Sequence, residues 1–268
     1  MKKGFGLILL VFLFYSCSEK KMTIEITDLC IIGTIHDSTE MINPTVLYDI
    51  LEQVQPDVIL CELESHFFTD STYNISEYPD LLSTNENIAT YRFQQKHNID
   101  LRPYEMEGRN EYYRTTSYFD KEQSVFTAIM NAYNNKTLSE ESSLEWDRFL
   151  KLIPQLDVLN SSTLEDINSE LYMGYSEAKN MIRYNTCISI TKRDMPDYYN
   201  TAKQLKKVWN TRNNTMRSNI LSWCKKYKGK TIVVLTGQQH KYYLQNSIRQ
   251  KADVYELDIK EFWEFDLR

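Results

Sequence analysis

Two stretches of the chain repeat one arrangement: an aliphatic, β-branched run, a glycine, and a histidine three places on. The first is Cys30-Ile31-Ile32-Gly33-Thr34-Ile35-His36. The second is Val233-Val234-Leu235-Thr236-Gly237-Gln238-Gln239-His240. Each reads as a buried strand that ends in a glycine turn and presents an imidazole. A third run, Asp57 to Leu63, ends in Glu62 and Glu64, and Glu105 follows a short strand predicted over Asn98 to Tyr104. Two imidazoles with carboxylates nearby could hold a divalent cation (Mn, Co, Zn or Fe) with an open position, lowering the pKa of its water towards about 7. The expected ligand set is His36, Glu62, His240 and Glu105, with Glu64 or Glu105 as a candidate base. Arg212 adds a cation. It falls on the apolar stripe Ala202, Leu205, Val208, Trp209, Met216, Ile220 and Trp223 of a helix predicted over Asp197 to Tyr227. A buried arginine needs carboxylates or carbonyls around it.

Other chemistries are excluded by what is missing. There is no GxSxG elbow, phosphate-binding loop, GxGxxG or HExxH, and the chain has only 7 glycines. No CxxC occurs, which removes zinc-ribbon and thioredoxin-like readings. The net charge of −6, with no basic cluster among aromatics, argues against nucleic acid as a partner. A peptide or small molecule is the expected substrate.

The elements that must position these groups follow from periodicity. Thr23 to Ile32 is the first strand. Asn43-Pro44 is an N-cap with proline at the first helical position, and Val46, Leu47, Ile50, Leu51 and Val54 then share a helical face. Pro56-Asp57 begins strand two, where Val58, Leu60, Glu62 and Glu64 alternate with Ile59, Cys61 and Leu63. Asn85 to His97 is helical. From 118 to 193 strand signals nearly vanish, which predicts a helical insertion or cap with helices over Ser124–Tyr133, Leu144–Ile153 and Leu164–Ile190, the last started by Asn160-Ser161-Ser162-Thr163. Gly229 closes the Arg212 helix. Lys230 to Thr236 is a strand, a helix runs to Ile248, and Ala252 to Leu257 is the last strand. Phe262, Trp263 and Phe265 are expected to dock the C-terminus. The fold class is α/β, with a mixed, mainly parallel sheet flanked by helices. In such sheets ligands bind beyond the strand C-termini, where His36, Glu62, Glu64, Glu105 and His240 all fall. His97 precedes a strand and reads as structural; His66 reads as loop.

The N-terminus reads as a targeting segment. Lys2 and Lys3 precede the apolar run Phe5 to Tyr15, too short to span a bilayer. Leu13-Phe14-Tyr15-Ser16-Cys17 resembles a bacterial lipobox. The expectation is a signal peptide over 1–16, a lipidated Cys17 with a tether over 17–24, and one domain over 25–268. Ser18 in place of aspartate points to the outer membrane as the partner surface, so the protein would be lipid-anchored to a bacterial cell envelope.

Gly33-Thr34-Ile35-His36, the Pro56-to-Glu64 strand end, Arg212-Asn213-Asn214-Thr215-Met216-Arg217-Ser218-Asn219-Ile220 and the Val233-to-His240 strand end together resemble the TraB, GumN, Tiki, ChaN-like and erythromycin-esterase-like superfamily. Gln239 stands where a second glycine is common in it, and Arg217 where alanine is. The resemblance implies a cleft lined by His36, Glu62 and His240 and reached by Arg212. Tiki-like relatives imply metal-dependent peptide cleavage, with Arg212 stabilising a developing oxyanion. Erythromycin-esterase-like relatives imply a metal-free hydrolase in which His36 activates water. ChaN-like relatives imply an iron- or haem-binding lipoprotein without catalysis. A scaffold with a degenerate site is the remaining alternative.

Overall fold

The computed structural model describes residues 25–160 and 163–265. The expected signal peptide, Cys17 and tether lie outside the described residues, as do Ser161 and Ser162 of the expected helix start. The strands are β1 (Thr27–Thr34), β2 (Val58–Cys61), β3 (Phe68–Thr69), β4 (Thr72–Tyr73), β5 (Asp100–Pro103), β6 (Thr231–Gly237) and β7 (Leu257–Lys260). The helices are α1 (Pro44–Val54), α2 (Asn85–His97), α3 (Arg109–Thr116), α4 (Tyr118–Asn134), α5 (Glu140–Asn160), α6 (Leu164–Asn168), α7 (Glu170–Asp194), α8 (Pro196–Lys226), α9 (Gln238–Arg249) and α10 (Ala252–Tyr255).

Five strands form one sheet in the order β5-β2-β6-β1-β7. All four of its pairings are parallel, so the expected mixture reduces to pure parallel pairing. The antiparallel pair, β3 with β4, is a separate two-residue ribbon. Alternation along the strands feeds two cores. Cys30, Ile32, Ile59, Cys61, Val233 and Leu235 pack with α1 and α2 on one face, while Leu29, Ile31, Val58, Leu60, Ile232 and Val234 pack with α8 and α9 on the other. The asparagine cap of α1 is as read: Asn43 Oδ1 accepts from the amides of Thr45 and Val46.

A third core belongs to the helical layer. It joins Tyr118, Val125 and Ile129 to Trp146, Phe149, Tyr184, Cys187 and Ile190. Ala202, Leu205 and Val208, from the first half of α8, complete it, whereas Met216, Ile220 and Cys224, from the second half, pack on the sheet. One 31-residue helix therefore ties the two layers together, and Arg212 sits where it passes between them.

Three expectations need correction. The helix expected over Leu164–Ile190 is two helices, because Ser169 turns extended and its hydroxyl caps the second by accepting from Tyr172 N. Ala252–Tyr255 is a helical turn rather than a strand. Glu256 takes a positive φ of 54° and the last strand begins after it. Trp263 stays 42% exposed, so Phe262, which is buried, does the docking, with Gln53 Nε2 donating to the carbonyls of Phe262 and Phe265. Among the described residues no helix is long and apolar enough to cross a membrane. The four described cysteines, Cys30, Cys61, Cys187 and Cys224, are buried free thiols.

Candidate functional site

Parallel pairing brings the two glycine turns side by side, with Gly33 opposite Thr236 and Thr34 opposite Gly237. Beyond them lies a cavity of about 840 Å³, lined among others by His36, Glu62, Glu86, Arg109, Tyr113, Trp209, Arg212 and His240. The same glycine spacing meets different constraints at its two copies. A Cβ on Gly33 would come within 3.2 Å of the Gln238 backbone and 3.4 Å of Asn168 Oδ1, whereas one on Gly237 would meet nothing closer than 3.7 Å. Asn168, at the end of α6, shares in that crowding. Its side chain accepts from Gly33 N at 2.7 Å and donates to Gly33 O at 2.9 Å. Lys241, fully buried, holds that asparagine from behind, 2.8 Å from its Oδ1 and 2.6 Å from Glu261 Oε2.

His36 leaves the end of β1 with its ring 66% exposed. Its Nδ1 lies 3.1 Å from Glu86 Oε1, and the Thr34 hydroxyl donates to the same oxygen. The other oxygen of Glu86 is buried without a hydrogen-bond partner. The start of α2 clasps the histidine loop: Asn85 N donates to His36 O, and Asn85 Nδ2 to the carbonyls of Ile35 and Asp37. The hydrogen bond to Glu86 raises the His36 pKa above 6.5, against the opposing effect of burial. Burial works against the Glu86 charge, but His36 and Thr34 outweigh it and its pKa is lowered.

His240 has the opposite surroundings. It is buried and stacked on Trp209, with ring centroids 4.5 Å apart. Arg212 Nη1 lies 2.9 Å from Nε2, and Asn213 Oδ1 lies 2.7 Å from Nδ1. An arginine only donates, so Nε2 accepts and the ring proton sits on Nδ1, donating to Asn213. Burial, followed by the Arg212 charge, pushes the His240 pKa down to about 3, so the ring is neutral.

Arg212 is the hub. Its Nε lies 3.0 Å and 3.1 Å from the two oxygens of Glu105, and its Nη2 donates to both Glu105 Oε2 and Glu62 Oε1. Glu62 Oε2 accepts from the Thr236 hydroxyl and from Gly237 N, each at 2.8 Å. Burial opposes charge on Glu62, yet Arg212 and these donors hold its pKa far below the usual carboxylate range. A cationic side chain thus stands where the expected metal would draw Glu62, Glu105 and His240 together. Each of the three already accepts from that guanidinium, and the hydrogen-bond partner of His36 is Glu86 rather than any of them. These four residues do not fit a shared divalent metal. Arg212 likewise directs four of its five N–H groups to Glu105, Glu62 and His240, so most of its hydrogens are held by the network itself.

Glu64 is not part of this group. The strand ends at Cys61, the chain bends, and Glu64 turns away to accept from Gly108 N at 2.7 Å and Asn110 N at 2.9 Å at the start of α3. Its distance to His66 Nδ1 is 4.0 Å. Glu64, His66 and Glu107 are the one group, among the described residues, with three candidate metal-binding atoms within 4.8 Å of each other. Glu107 is already accepting from Ser65 N, so the group joins the β2 end to α3. His97 is structural, 2.8 Å from Glu52 and stacked on Phe93.

Glu86, Arg109 and Asn168 escaped the sequence reading as site residues, and Asn213 entered it only as part of the motif that begins at Arg212. Glu86 had one available signal, a carboxylate in the first turn behind a Thr84 cap, but nothing local names its partner 50 residues away. Arg109, just after the Gly108 break, gives no periodic signal at all. Compared with protein-family models, with curated proteins and with solved structures, the chain matches none.

Proposed function

We propose that the chain is a metal-free hydrolase of ester or peptide bonds, in the manner implied by its resemblance to erythromycin-esterase-like proteins, and that it works at a bacterial cell envelope. The observation that carries this reading is the pair His36–Glu86: an exposed imidazole with one nitrogen fixed by a carboxylate and the other free at the mouth of a cavity. Such a pair suits general-base catalysis. Glu86 holds the Nδ1 proton, which leaves Nε2 as the acceptor. His36 takes a proton from water as the water oxygen bonds to the substrate carbonyl carbon, and the carbonyl electron pair moves onto its oxygen. Collapse breaks the bond to the leaving group, which takes the proton back from His36. Glu62, Arg212 and His240 form the fixed polar floor beneath. Hydrolysis of p-nitrophenyl acetate that persists in EDTA and falls at least a hundredfold in His36→Ala supports the reading. Activity lost in EDTA and restored by a divalent cation overturns it.

A second reading is a carrier of a flat conjugated ligand such as haem, favoured by the aromatic side of the cavity, where Tyr113 stacks on Tyr118 at 4.5 Å and Trp209 on His240. The free ring nitrogen of His36 would be its ligand, because burial raises Tyr118 and Tyr184 and disfavours their phenolates. A Soret band that His36→Ala abolishes would favour this reading, and no spectral change on adding haem would end it.

A further inference from the structure

A hydrolase of this kind must neutralise the negative charge that develops on the substrate's carbonyl oxygen. Removing a single donor aimed at that oxygen costs about 10²–10³-fold in kcat. Arg212 turns four of its five N–H groups to Glu105, Glu62 and His240. His240 is neutral, its ring proton faces Asn213, and its other nitrogen accepts from Arg212. Among the arginines lining the cavity, Arg183 is paired with Glu122 at 2.9 Å.

Arg109 is different. It lines the same cavity, with its side chain 22% exposed. Its Nε is 3.4 Å from Glu105 Oε2, but the alignment does not make a hydrogen bond, and that buried nitrogen has no acceptor. Glu105 already spends both oxygens on Arg212. The guanidinium carbon lies 5.6 Å from the centre of the Tyr113 ring, which walls it on one side. The backbone that carries it is fixed on both flanks: Glu64 accepts from Gly108 N and from Asn110 N. The charge of Arg109 is felt at both histidines, where it favours the neutral ring. It therefore lies within electrostatic reach of both rings, on the wall of the cavity they share.

We infer that Arg109 is the residue that holds the oxyanion, and that its guanidinium with the adjoining tyrosines forms a site for a tetrahedral oxyanion borne on an aromatic or apolar group. The catalytic part of this inference rests on the hydrolase reading above. In the step described there, the electron pair leaving the carbonyl double bond resides on the oxygen facing Arg109, which donates from its unpaired N–H groups and gives up no proton. When the intermediate collapses the pair returns to the double bond. Arg109 is unchanged over the cycle. An arginine offers two donors in a planar fork, which lysine cannot reproduce.

Phenylphosphonate carries a tetrahedral oxyanion on an aromatic ring and serves as the probe. Its binding to the full-length protein is followed by titration calorimetry, with p-nitrophenyl acetate hydrolysis measured in parallel. The expected result is one site per chain, at least tenfold weaker in Arg109→Gln and partly restored in Arg109→Lys. Hydrolysis should lose kcat at least tenfold in Arg109→Gln, with a smaller change in KM. Arg109→Lys also serves if Arg109→Gln does not fold. Loss of phosphonate binding in Arg109→Gln, with no hydrolysis by the unaltered protein, would leave the anion site standing and remove the hydrolase reading. Undiminished phosphonate affinity in Arg109→Gln, or no binding to the unaltered protein, overturns the assignment whether or not the ester is cleaved.

Discussion

His36 and His240 end neighbouring parallel strands with the same Gly-x-x-His spacing, and the fold gives them opposite states. His36 stands in the open, leans on a carboxylate and holds its proton more tightly than usual. His240 is sealed under Trp209 between an arginine and an amide, and gives its proton up. The glycines differ too. Gly33 is crowded, since a Cβ there would meet the Gln238 backbone at 3.2 Å and Asn168 Oδ1 at 3.4 Å, while Gly237 has room for a side chain and contributes its N–H to Glu62. A repeated motif therefore marks where the chain turns. The second partner of each ring, drawn from α2 in one case and α8 in the other, decides what the ring does.

The comparison breaks most easily at the histidines themselves. His36→Ala should lower ester hydrolysis by about 10²–10⁴-fold, the usual worth of a general base, while the urea midpoint stays near that of the unaltered protein because the ring is exposed. Activity unaffected by this change would make the two rings alike. On the buried side, Arg212→Met should destabilise by about 3–5 kcal/mol, since it strands Glu62 and Glu105 with their charges unpaired. Urea unfolding measures it, and a loss under about 1 kcal/mol would mean water reaches the network.

The pH dependence sharpens the contrast. His240 has a folded pKa of about 3 against an ordinary 6.5. Above 6.5 neither state of the protein binds this proton. Below it the unfolded chain does and the folded one does not, so its contribution is lost as pH falls from 6.5 towards about 3, at up to about 1.4 kcal/mol per pH unit. His240→Gln should flatten that part of the stability profile, and an unchanged slope would refute the neutral ring. His36 runs the other way: its folded pKa is raised, so its contribution is full below 6.5 and lost as pH rises through the folded value. In Glu86→Gln the acid limb of hydrolysis should move to lower pH, which a rate profile detects. The smallest effect is expected at Glu64→Gln, which weakens the N-terminal tie of α3 by about 0.5–2 kcal/mol, with phosphonate affinity falling alongside.

The strand ends, the cap at Asn43 and the charged interruption at Arg212 were legible because each is a local pattern: alternation, a capping pair, a cation on an apolar stripe. Glu64 misled because alternation was carried three residues past the point where pairing stops at Cys61. The last strand was misplaced because Val254 looks like a strand residue but is 77% exposed in a helical turn, while the true edge strand carries Asp258 and Lys260, charges that suit a sheet edge. The two roles of histidine were not legible. Glu86 and Asn213 reach their rings across 50 and 27 residues, and no local periodicity encodes such meetings.

The order of the strands also sets the order in which the site comes into being. β6 lies between β1 and β2, yet it is made more than 160 residues after β2 ends. Until it arrives, the two earlier strands have no shared neighbour. Glu62 lacks Thr236 and Gly237, and Arg212 lacks His240. A chain interrupted anywhere before Thr231 loses the joint between both halves rather than one wall of the cavity. Whatever chemistry the site performs is therefore withheld until β6 and the turn to His240 have been made.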